Sequence, residues 1–133
     1  MAGTCESIKA FVLLCLLCGL GTRAVAQDEE TKCCCTTYDT SVCLSKVHDK
    51  VDAELNATYQ KALALTRRFG SQDVEKLREA ERKWTAYRDA ACDAEYGLWG
   101  GGSGGPNAHT MCVIRLTRQR TNDLKNVYTK MNR

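Results

Sequence analysis

Histidine is scarce in this 133-residue chain, with only His48 and His109 present. No serine–histidine–aspartate or cysteine–histidine pattern can be built around them, so the usual nucleophiles and bases of catalysis are in short supply. Beyond Cys15 and Cys18 in the apolar amino-terminal run, no Cys-x-x-Cys spacing occurs, which serves zinc poorly. The glycine run before Pro106 is not followed by Gly-Lys-Ser/Thr, which excludes a phosphate-binding loop. No segment alternates with the strand period, and no internal repeat is visible. Beyond the amino-terminal run, no stretch is apolar enough to cross a bilayer.

The amino-terminal run has its own logic. Lys9 precedes an apolar stretch, Ala10 to Leu20, followed by Gly21, Thr22 and Arg23. Ala24-Val25-Ala26 offers the small residues that a signal peptidase reads, and Gln27-Asp28-Glu29-Glu30 then turns acidic. This layout predicts a secretory signal peptide over 1–26, cleaved near Ala26, and a periplasmic or secreted product. The stretch is shorter than the roughly 20 residues a membrane span requires. Cys15 and Cys18 raise a lipid anchor as an alternative. Leu14 and Leu17 stand where a small residue should precede the acceptor, which disfavours it.

Cleavage removes Lys9, Arg23 and Glu6 and leaves a net charge of +2 on the mature chain. That balance excludes a concentrated basic face, so nucleic acid is not an expected partner. Nine cysteines become six once Cys5, Cys15 and Cys18 leave. An even number in an exported domain of this size reads as a disulfide framework, which stiffens a modest core. Six cysteines allow many pairings, and the adjacent run Cys33-Cys34-Cys35 complicates the choice.

The rest of the chain reads as helix. An amino-terminal arm, 27–38, carries no period, and a helical domain occupies 39–133. From about Thr40, Leu44, Val47, Val51, Leu55, Tyr59, Ala62, Leu63 and Phe69 recur at three- and four-residue steps. Gly70 stops this helix, and Ser71 is placed to cap the next. Val74, Leu77, Ala80, Trp84, Tyr87 and Ala91 then form a second stripe, ending at Gly97. Glycine is too dense between Gly97 and Pro106 for regular structure. A third helix is predicted from near Thr110 to Lys130, with Val113, Leu116, Leu124, Val127, Tyr128 and Met131 inward. The expected fold is all-α: a small disulfide-bonded bundle of three main antiparallel helices, with a Gly-rich loop between helices 2 and 3.

Several short strings occur in a telling order. They are Cys43, then Asp52 to Gln60 (DAELNATYQ), then Trp84 to Cys92 (WTAYRDAAC), Gly101-Gly102-Ser103, Cys112, and Leu116 to Leu124 (LTRQRTNDL). In this order the chain resembles the LprI-type lysozyme inhibitor domain, formerly a domain of unknown function, of exported bacterial proteins. The likeness covers roughly 33–126. It implies a helical binding protein whose partner is a lysozyme, with no cofactor and no catalytic residue. The chain departs from the family pattern at the amino end. Members show one cysteine about a dozen residues before the position of Cys43, and here three stand eight to ten residues before it. That leaves the first bridge open among Cys33, Cys34 and Cys35.

Each remaining constellation has a plain reading beside a functional one. Cys92 and Cys112 flank the glycine loop, and a bridge between them would pin its ends. Zinc on Cys33, Cys34, Cys35, Cys43 and His48 is the weaker alternative, because an oxidising compartment consumes thiolates. Asp49, Asp52 and Asn56 share a helix face, yet no wrapping loop accompanies them as calcium would need. Asn56 is expected in a structural hydrogen bond, and Asn56-Ala57-Thr58 is also a glycosylation sequon. Arg88, Asp89 and Arg120 are expected in interhelical ion pairs.

The glycine loop, with Tyr96, Leu98 and Trp99 beside it, is the candidate binding edge. Ser103, His109 or a nearby arginine would meet the two carboxyl groups of a lysozyme cleft. A net charge of +2 gives no long-range attraction to a basic lysozyme. An envelope-binding role, on cell wall or a secretion-system protein, is therefore the second hypothesis. An enzyme using Glu54 or Asp89 is the third.

Overall fold

A computed structural model describes Cys33 and residues 36–129. The signal-peptide reading over 1–26, Cys34, Cys35, Lys130 and Met131 lie outside the described residues. Three helices follow one another: α1 over Thr37–Thr66, α2 over Ser71–Gly97 and α3 over Gly105–Leu124. A single π-helical turn, Lys125–Thr129, continues α3. No strand occurs among the described residues, and no helix there is long and apolar enough to cross a membrane.

Helix α1 starts three residues earlier than its apolar period suggests. Thr36 Oγ1 accepts from the Asp39 amide at 3.0 Å, and the Asp39 carboxylate accepts from the Thr36 amide at 3.4 Å. This reciprocal cap satisfies two amides that the first turn would otherwise leave without partners. At the other end the chain turns through Arg67–Phe69. Gly70 then adopts φ +132°, a conformation closed to side-chain-bearing residues. Gly70 itself becomes the cap position of α2, and Ser71 is already helical, so the expected Ser71 cap does not form.

The order is up–down–up, so consecutive helices are antiparallel while α1 and α3 run side by side in parallel. Asn107 near the start of α3 donates to the Thr37 carbonyl at 3.1 Å, and Lys125 after its end pairs with Glu54. Across the other face, Arg120 meets Glu81 and Cys112 meets Cys92 in the reverse sense.

Helix α3 sits between the other two and organises three packed clusters. Ile114 seals Leu44, Val47 and Val51 of α1, with Cys33 against them. Cys112, Val113 and Leu116 pack on Cys92 of α2. At the far end Leu124 joins Leu55, Ala62, Leu63, Val74 and Leu77, where all three helices meet. Trp84 touches both of the latter clusters.

Some residues expected in the core are outside it. Phe69 is 62% exposed because it belongs to the turn, where the helical period no longer governs orientation. Tyr87 is 61% exposed. The second half of α2 packs on α3 alone, and its narrow contact is filled by Trp84, Ala91 and Cys92. Ala80 is exposed as well. Val127 is exposed because the wider π-turn rotates it off the α3 stripe, while Tyr128 remains against the core. In their place Ile114, Thr58, Thr66, Thr117 and Thr121 are buried. Thr66 and Thr121 donate to the carbonyls one turn back, at 2.8 and 2.9 Å.

The exposed surface of α2 carries a ladder of ion pairs, including Asp73–Lys76, Glu75–Arg78 and Glu79–Arg82. The hydrogen-bonded Arg82 guanidinium holds the Glu79 carboxyl below its ordinary range.

Thr117 Oγ1 is buried with no hydrogen-bond partner among the described residues. Thr117→Val should therefore stabilise the fold by about 1 kcal/mol, since it removes a desolvated hydroxyl at constant shape. A urea midpoint that falls on this substitution would contradict the assignment. Replacing Cys92 and Cys112 together by alanine should cost about 3 kcal/mol, the chain-entropy value for a loop of this length. The same urea titration, run under oxidising conditions, measures it.

Candidate functional site

The connection between α2 and α3 is a short, folded turn rather than a long loop. Helix α2 runs to Gly97 and α3 begins at Gly105, so only 98–104 lie between them. Gly100 and Gly101 take φ of +54° and +80°, which lets the chain reverse without strain. Gly104 and Gly105 serve differently. A Cβ on Gly104 would lie 2.8 Å from the Trp99 ring, and one on Gly105 would lie 2.8 Å from the Tyr96 ring. Both rings rest directly on glycine backbone, and the turn is pinned by its own aromatics.

Beneath the turn, the Cys92–Cys112 disulfide joins the ends of α2 and α3 across a Cα separation of 5.6 Å. Glu95 and Arg115 pair across the same helices at 2.6 Å. His109 Nε2 lies 3.2 Å from Asp93 Oδ1, and its ring stands edge-on to Tyr96 at 6.2 Å between centroids. His109 is thereby in contact with two residues of α2. What the tip offers to solvent is Leu98, 87% exposed, the half-exposed Trp99 and the exposed Ser103.

The other singled-out residues lie elsewhere. Cys33 is joined to Cys43 at the start of α1, so these two sulfurs are not thiolates able to take zinc. Asn56 donates to Asp52 at 3.0 Å, an exposed contact within α1 and not an interhelical one. His48 lies beside Asp49 at 3.5 Å. No group of three or more histidine, cysteine or acidic residues placed to hold a metal occurs among the described residues. Arg88 pairs with its neighbour Asp89 at 2.8 Å inside α2, so that pair does not cross between helices. Arg120 does cross, but to Glu81, with Nε–Oε1 at 2.8 Å. Both Arg88 and Arg120 also stack on Trp84, at 5.4 and 5.9 Å from the ring centroid. Glu81 was hidden from sequence reasoning because it sits among the α2 charges that face water.

The family model for lysozyme inhibitor LprI matches residues 30–124. The chain belongs to the LprI family. A curated uncharacterized protein of Rhizobium meliloti (strain 1021) is 30% identical over a 122-residue alignment, covering 84% of this chain and 88% of that protein. No solved structure matches the chain. The LprI match takes in both bridges and all three helices, and it ends at Leu124, where α3 gives way to the π-turn.

In this LprI domain the aromatic rings and the two glycines beneath them form one packed unit. Gly104→Ala should displace the Trp99 ring, which can swing outward, and not unfold the bundle. Trp99 emission should shift to the red, with a loss of about 1 kcal/mol. Unaltered emission would show that the ring does not rest on Gly104.

Proposed function

We propose that this chain is an exported inhibitor that binds a lysozyme and occludes its active-site cleft with the 98–104 turn. Family membership supplies the partner class. Disulfides joining Cys33 to Cys43 and Cys92 to Cys112 support an oxidising compartment, periplasmic or secreted. The signal-like segment over 1–26 supports the same location. No catalytic role is assigned to any residue. Glu54 is paired with Lys125, and Asp89 with Arg88.

The observation that carries the mechanism is Leu98. Leu98, 87% exposed, and the 51% exposed Trp99 stand side by side on the turn, an apolar pair whose burial by a partner would be favourable. Trp99 beside it supplies a rigid anchor, and interface energy concentrates in such residues. Because the bridge and the glycine-seated rings fix the turn beforehand, little ordering entropy is lost on docking. Ser103 at the tip has a hydroxyl to offer the carboxyl pair of a lysozyme cleft.

Titrating lysozyme with the mature oxidised chain should abolish activity at a stoichiometric ratio. Leu98→Asp should weaken inhibition at least tenfold, about 1.4 kcal/mol, while the thermal midpoint holds. With a near-neutral inhibitor the association should vary little with salt. Full-strength inhibition by a chain carrying both Leu98→Asp and Trp99→Ala would sink the occlusion mechanism.

A further inference from the structure

We infer that the outward face of α3 binds a short, uncharged oligosaccharide bearing acetamido groups. The face floors an open groove of about 1090 Å³, with Trp99 and Gly104 at one end and the Glu54–Lys125 pair at the other. Of the residues in the three packed clusters, Cys112 alone reaches its wall. From Ala108 to Asn122 the groove follows α3 for roughly 21 Å, at 1.5 Å per residue. That length suits a chain of sugar rings and exceeds any single one.

Three features select the ligand. The first is charge. Glu54, Glu95 and Asp123 line the groove against Arg115, Arg118 and Lys125, so opposite signs cancel. Glu95–Arg115 and Glu54–Lys125 are already paired across helices. An ionic ligand would have to break those contacts, whereas a neutral one need not.

The second feature is the kind of polar group. Gln119 and Asn122 are exposed along the groove, one helical turn apart. Primary amides donate and accept at once, as sugar hydroxyls and acetamido groups do. The third is the apolar surface between them. Met111 and Ala108 share the face with the half-exposed Trp99 ring. A sugar ring has an apolar C–H face to lay on the indole, and an acetamido methyl suits the methionine. Mostly apolar walls with a few convergent polar groups are what small-ligand sites present.

This groove does not include Leu98 and does not require lysozyme as a partner. The test is calorimetric titration of the oxidised chain, without lysozyme, against chitotetraose, with cellotetraose as the sugar lacking acetamido groups. Tryptophan emission is followed in parallel. Saturable heat with chitotetraose, at least tenfold weaker with cellotetraose, is expected. Asn122→Ala should weaken binding fivefold or more with an unchanged melting curve, and Trp99→Ala should do at least as much. Leu98→Asp should leave sugar binding intact even where it abolishes lysozyme inhibition. No saturable heat with chitotetraose, equal affinity for the two sugars, or full affinity in the Asn122→Ala chain would each overturn the assignment.

Discussion

Everything in this molecule hangs on α3 having two buried faces. Helices α1 and α2 share the cluster that holds Leu124, and elsewhere each packs on α3 through a cluster of its own. A helix so placed cannot use a single apolar stripe. Ile114 answers to α1, Val113 and Leu116 answer to α2, and Leu124 answers to both. Two small hydroxyl-bearing residues of the same helix, Thr117 and Thr121, are buried as well. Because the helices are long relative to the core, covalent bonds brace the ends where burial alone is thin.

That arrangement explains which parts of the fold were legible in the sequence. Helix α1 and the first half of α2 each bury one face, so their three- and four-residue spacing predicted Leu44 through Leu63, and Val74 and Leu77, correctly. In α3 the spacing is broken by its second face, and Ile114, fully buried, does not stand out from the stripe beside it. The π-turn adds a residue per turn and puts Val127 out of step. The start of α1 was encoded as well, in Thr36 and Asp39. The signal was a polar cap ahead of the first apolar residue, and periodicity is blind to it.

The site was half legible for a different reason. Glycine density marks the turn, and the flanking cysteines mark its base. Composition cannot reveal that Gly104 and Gly105 lie under aromatic rings, since that depends on how Trp99 and Tyr96 fold back. Nor does composition reveal that His109 meets Asp93, sixteen residues away in sequence. Glu81 belongs to the same run of α2 charges as the exposed Arg78 and Glu75, and nothing local marks it as the one that meets Arg120. Local pattern reports what a residue is, and only the packing of distant segments reports what it meets.

Separate clusters also make the two ends of the molecule unequal in durability. Near Gly70 the helices are held by noncovalent contact alone, and Phe69 and Val127 are already in water there. At the opposite end a covalent staple closes the α2–α3 hairpin. Fraying that begins around Gly70 can run inward and leave the stapled hairpin standing. A protein built this way wears from its plain end first, and the end with the glycine turn outlasts the rest.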